Sequence, residues 1–172
     1  MTTLALRFIK QPDGGSVLQC TRADGTVTFQ RHAGAQGAFF PVHDLTHYAV
    51  ESELGFAGAF FGLVAAGWDI EDTTGKGPRG PIPPEAMTVE YLVGALDLER
   101  AGSVEWTAET LNAHARAMAE KDGRPAPREF TDLDLDRVRA QMHSLLARWA
   151  SIPPGGTLDL SFDSSSAPAR RS

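Results

Sequence analysis

Two histidines four residues apart, with a carboxylate beside the first and another four residues after the second, make the densest set of reactive groups in the chain. They are His43, Asp44, His47 and Glu51, in the run Pro41-Val42-His43-Asp44-Leu45-Thr46-His47-Tyr48-Ala49-Val50-Glu51. An α-helix turns ~100° per residue, so with His43 at zero, His47 falls at ~40°, Glu51 at ~80° and Asp44 at ~100°. Four polar groups then share about a quarter of one helix's circumference, while Leu45, Tyr48 and Ala49 face elsewhere. Side chains four apart are neighbours, so both imidazoles can reach one ion, and Glu51 can add an oxygen. Imidazole and carboxylate suit zinc first, with iron or manganese as alternatives. The spacing therefore predicts His43, His47 and Glu51 as metal ligands and Asp44 as the catalytic group: a fourth ligand, an orienting partner or a proton acceptor. An open position beside such ligands would hold a water made acidic by the ion, or a polarised carbonyl. Two structural readings compete: the acids cap a helix and form solvated ion pairs, or they only hydrogen-bond a partly buried His47.

The stretch His43-Asp44-Leu45-Thr46-His47 has the outline of the zinc-protease HExxH motif with Asp for Glu. Asp is one methylene shorter and reaches a metal-bound water poorly, and no downstream ligand follows at a familiar interval, so a peptidase is not expected. The same five residues resemble the HDxxH segment of the zinc-binding coenzyme Q biosynthesis family. His43, Asp44 and His47 match it, and the resemblance implies zinc binding at those positions alone. That pattern pairs HDxxH with a Glu about three turns further on, where this chain has Ala59, and Glu51 and Glu53 come sooner.

Other reactive residues are scattered. His32 precedes a small-residue stretch, 32–37, and is a candidate further ligand if it swings toward the cluster. His114 and His143 stand alone in helical segments and read as structural or solvated. Trp68, Trp106 and Trp149 read as core. Phe39, Phe40, Phe56, Phe60 and Phe61 flank the cluster as core or as the walls of an apolar pocket. Gly75-Lys76-Gly77 lacks the earlier glycine and following hydroxyl of a P-loop and reads as a connector. The one cysteine, Cys20, excludes an intramolecular disulfide and reads as a small buried hydrophobe.

The elements that must position the cluster follow from periodicity and turn chemistry. Leu4–Ile9, Ser16–Arg22 and Thr26–Arg31 are strand candidates, the latter two joined by an Ala23-Asp24-Gly25 hairpin turn. A helix is expected from about His43 to Ala66, entered at Pro41 and broken or bent near Gly55 and Gly58. Residues 71–84 are loop. Further helices are expected over Glu85–Arg100, over Ala108–Lys121 capped by Thr107, and from Thr131 to about Ala150. In the last, Leu135, Val138, Met142, Leu145 and Trp149 form an amphipathic stripe. Thr157–Phe162 alternates with period two and is expected to return to the N-terminal sheet.

These elements predict an α+β fold in which a small antiparallel sheet, N-terminal strands plus the C-terminal strand, is packed by about four helices. Residues 1–163 are expected to form a single domain and 164–172 a disordered tail. The net charge of −6 argues against nucleic acid as a partner. No segment reaches the ~20 apolar residues of a membrane span, and with no secretory signal evident a cytoplasmic location is expected. The leading functional expectation is a metal-binding protein, extending to a metal-dependent hydrolase or lyase acting on a small organic molecule. The alternative is a non-enzymatic interaction module, in which helix 131–150 or an unpaired sheet edge makes a homodimer and the His/carboxylate cluster is structural.

Overall fold

The computed structural model describes residues 2–164. Three strands, β1 (Thr3–Lys10), β2 (Ser16–Thr21) and β3 (Val27–His32), open the chain as an antiparallel meander. The last strand, β4 (Thr157–Asp163), returns beside β1 and gives the order β3-β2-β1-β4. Register places Leu6 opposite both Cys20 and Leu160, and Phe8 opposite both Leu18 and Leu158. Alternation therefore sends Leu4, Leu6, Phe8, Leu18, Cys20, Leu158 and Phe162 to one face, where the helices cover them. On β3 the inward positions are polar, Thr28 and Gln30, while Val27 and Phe29 point outward and stay exposed. That polar inner face at one end of the sheet becomes part of the site.

Five α-helices follow: α1 (Gly34–Leu54), α2 (Phe60–Ala65), α3 (Pro84–Arg100), α4 (Ala108–Lys121) and α5 (Asp132–Ser151), with a short 3-10 turn at Ile70–Thr74. The α+β class and the antiparallel sheet are as the sequence implies. The expected helix 43–66 differs at both ends. Gly55 takes the left-handed conformation (φ 71°) and ends α1, so the segment splits into α1 and α2. At the other end the helix starts at Gly34, placing Pro41 inside it rather than at its entry. Pro41 supplies no amide proton to the ladder, a cost that local preference would avoid. Tertiary contact overrides it. A side chain at Gly37 would come within 2.7 Å of the backbone of Gly14 and Gly15, so the first turn of α1 lies directly on the β1–β2 turn. His32 also stacks on Phe40 at 3.9 Å between ring centroids.

Thr107 and Thr131 cap α4 and α5 through reciprocal capping boxes with Thr110 and Asp134. The whole apolar stripe of α5, Leu135 to Trp149, is buried in the core. That face is thus used internally and is not free to make the homodimer contact envisaged for it. The expected tail lies at residues 165–172, outside the described residues. Ser164, counted with it, donates its backbone N–H to Thr2.

Cys20 is fully buried on the inner face of β2, and burial pushes its thiol up to about 12, with the charge of Asp44 adding and Arg22 opposing. The thiol is therefore neutral at pH 8 and shielded. Ellman's reagent at that pH should leave the native protein unlabelled and titrate one thiol per chain in guanidinium chloride. Fast labelling of the native state would contradict the packing of the sheet.

Candidate metal centre

All four residues of the sequence cluster lie on α1, and their stripe runs from the surface into the core. The side chain of His43 is 21% exposed, that of His47 3% and that of Glu51 0%. One face of one helix therefore holds groups in different surroundings, which decides their roles.

Glu51, at the buried end, is committed to the backbone. Its Oε2 accepts the N–H groups of Phe61 (2.9 Å) and Gly62 (3.3 Å), in the first turn of α2. The N-cap of α2, Ala59, has no side-chain acceptor, so Glu51 caps that helix from ten residues upstream. Burial drives the Glu51 carboxyl well above the usual range, the two N–H donors pull it back in part, and the charge of Glu85 adds to the rise. Its other oxygen stands 3.4 Å from Nδ1 of His47. Both atoms are buried, and neither has a hydrogen-bond partner among the described residues. The expectation of Glu51 as a ligand alongside His43 and His47 is therefore revised: it sits behind the His47 ring, where it can orient the imidazole.

The donor that does share a point with the histidines comes from α3. One ligand atom each from His43, His47 and Glu90 lie within 4.8 Å of one another. Nε2 of His47 is 3.4 Å from Oε1 of Glu90. His43 donates from Nδ1 to Oδ2 of Asp97 at 2.7 Å, which leaves its Nε2 as the nitrogen with a free lone pair. Asp97 is itself held by Arg100 at 3.0 Å. Each histidine thus has Nδ1 facing a carboxylate, Asp97 or Glu51, and Nε2 remaining for the shared point. This is the arrangement by which proteins orient metal-ligating imidazoles. The two rings approach edge to face, with centroids 4.9 Å apart.

For His47 the electrostatics agree with the geometry. Burial holds His47 down to about 4, reinforced by His43 and offset in part by Glu90 and Asp97, so its imidazole is neutral at ordinary pH, as a ligand must be. Burial also opposes a charge on His43, but the hydrogen bond and charge of Asp97, with Asp44 and Glu90, outweigh it and raise its pKa. Asp97 is lowered despite its burial, through its bonds to His43 and Arg100.

Asp44 stands beside the three donors and is not one of them. It is 4% exposed, and its Oδ2 accepts a hydrogen bond from the Gln30 amide on β3 at 3.5 Å. Burial lifts it to about 7, partly offset by His43 and Gln30 and aided by Glu90 and Asp97. Asp44, His43, His47 and Glu90 all line a cleft of about 400 Å³ between α1, α3, the end of β3 and the loop through Ile82.

His32 takes no part in the donor group. Its ring is stacked on Phe40, which also packs edge-on against His43, and it borders a separate hollow with Asp13 and Arg31. His143 is exposed, and His114 lies against Trp106. Sequence reading missed Glu90 and Asp97. Their spacing of seven places both on one face of α3, a signal that was present, but nothing local says which helix that face meets.

No family model matches the chain, and neither the curated proteins nor the solved structures provide a match. Ala59, which stands where the HDxxH family carries its distant Glu, lies beyond the end of α1.

The two jobs of Glu51 separate by substitution. Glu51→Gln keeps an acceptor for the α2 amides and should stay within about 1 kcal/mol of the parent. Glu51→Ala strands two buried N–H groups and should lose about 2–4 kcal/mol. Urea unfolding at pH 7 measures both, and equal losses would contradict the capping role.

Proposed function

We propose that the protein binds one divalent metal ion through His43, His47 and Glu90, and that this centre serves an enzyme acting on a small organic molecule held in the adjoining cleft. The observation that carries the reading is the paired anchoring of the imidazoles. Two histidines whose Nδ1 atoms both face carboxylates, with Glu90 sharing the space near them, form a three-donor nitrogen and oxygen set beside an open cleft. Such a set suits zinc, with iron or manganese as alternatives. The orphaned Nδ1 of His47 and Oε1 of Glu51 fit the same view: drawing His47 onto an ion would fix its tautomer with Nδ1–H pointing at Glu51. A bound ion would supply Lewis-acid activation of a water or a substrate carbonyl, as in hydrolysis or a lyase reaction.

The chain's own residues account for the rest. His43 is held by Asp97 through Nδ1, and Nδ1 of His47 faces Glu51 across 3.4 Å. Asp44 faces the same cleft and is the group placed to take up or return a proton, with the Gln30 amide fixing its carboxyl. Phe40 and Phe60 wall the donors and limit the approach of bulk water. The match of His43, Asp44 and His47 to the HDxxH motif supports metal binding and extends to nothing further.

Protein purified without chelator should carry about one divalent ion per chain by elemental analysis. Changing His43 and His47 together to Ala should abolish it while the circular dichroism is kept, and Asp97→Asn should weaken affinity by about 10–100-fold. A chain that neither retains metal nor takes up zinc, iron or manganese by calorimetry would overturn the proposal.

A further inference from the structure

The lining of the cleft restricts what can occupy it. Among the described residues that line it there is no lysine or arginine. Of the cations in the flanking segments, Arg31 lies over Phe29 at a separate hollow, Lys76 is not part of the lining, and two arginines are engaged elsewhere. Arg22 donates to the carbonyl oxygens of Val64 and Trp68 and pairs with Asp69. Arg79 donates to Gly67, pairs with Asp72 and lies over the Trp68 ring. The charged side chains that do face the cleft are acidic, Asp44 and Glu90, with Asp97 behind His43.

The cleft's hydroxyls are also spent. Thr73 donates to the carbonyl of Ile70 and Thr74 to that of Glu71, so both protons stay within the 3-10 turn. The Gln30 amide N–H group is turned to Asp44. What remains free is acceptor capacity on Asp44 and Glu90. The other walls, Phe40, Phe60, Ile70, Ile82 and Met87, are apolar. An apolar cavity of roughly 150 Å³ holds benzene, so about 400 Å³ has room for a ring with substituents.

We propose that the occupant is a small molecule without negative charge, with an apolar body and at least one hydrogen-bond-donating group, an alcohol, an amide N–H or an ammonium, directed at Asp44 and Glu90. This deepens the metal-centre reading and rests on it for the chemistry, but the selection comes from the lining itself. In the metal-free protein a carboxylate or phosphate ester would meet Asp44 and Glu90 with no lysine or arginine in the lining to balance it. An ammonium donates to the same two acids and is balanced by them.

The test is a series of equal bulk and differing charge: benzyl alcohol, benzamide, benzoate and benzylamine. Each is titrated into metal-free protein and followed by amide chemical shifts in NMR, with zinc uptake measured separately on the same preparation. Benzyl alcohol, benzamide and benzylamine should shift resonances of the cleft residues, and benzoate should bind at least about tenfold more weakly. Ile82→Trp, which fills the cleft from its loop, should remove the binding. Met87→Trp on α3 serves the same end if the first variant does not fold. Tightest binding by benzoate, binding unaffected by the filling variant, or no binding across the series would each overturn the proposal. The expected order in a protein that takes up no zinc would sink the metal centre alone and leave the selection standing.

Discussion

Burying a polar group without a partner is costly, and this constraint governs the structure around α1. The helix carries its polar stripe from the surface into the core, so each group on it must be satisfied by something other than water. Glu51 is satisfied by the first amides of α2, His43 by Asp97 of α3, and Asp44 by the Gln30 amide on β3. The stripe therefore dictates where three other elements must lie. His47 sits midway with its Nδ1 turned toward Glu51 and its Nε2 toward Glu90, and neither contact is closer than 3.4 Å. The main core beside it is apolar and contiguous. At this place the packing is polar and incompletely satisfied, which is where a ligand adds most.

Much of the architecture was legible because it is written in local signals. Period-two alternation found β4, the Asp24-Gly25 turn found the β2–β3 hairpin, and Thr107 and Thr131 marked their helices by capping chemistry. The start of α1 was not legible. The stretch 32–37 reads as loop and Pro41 as a helix entry, because the reasons for helix there are tertiary: the seat of Gly37 on the β1–β2 turn and the stacking of Phe40 on His32.

The site divides along the same line. The pairing of His43 with His47, and the placement of Asp44 near them, follow from helical periodicity alone. The third donor does not. Periodicity places Glu51 and His43 on one face but says nothing about depth, and depth is what removes Glu51 from the open site and ties it to α2. Glu90 and Asp97 replace it because α3 packs across α1, a long-range contact that neither helix encodes by itself.

The central claim is that two imidazoles, each with an acidic side chain behind its Nδ1, and Glu90 direct their free atoms at one ion. X-ray absorption on zinc-loaded protein tests this most directly. The account predicts a nitrogen and oxygen first shell at about 2.0–2.1 Å, with outer-shell scattering from two imidazoles that falls to one in His47→Ala. A shell of oxygen alone, or two imidazoles that persist when His47 is removed, would contradict it.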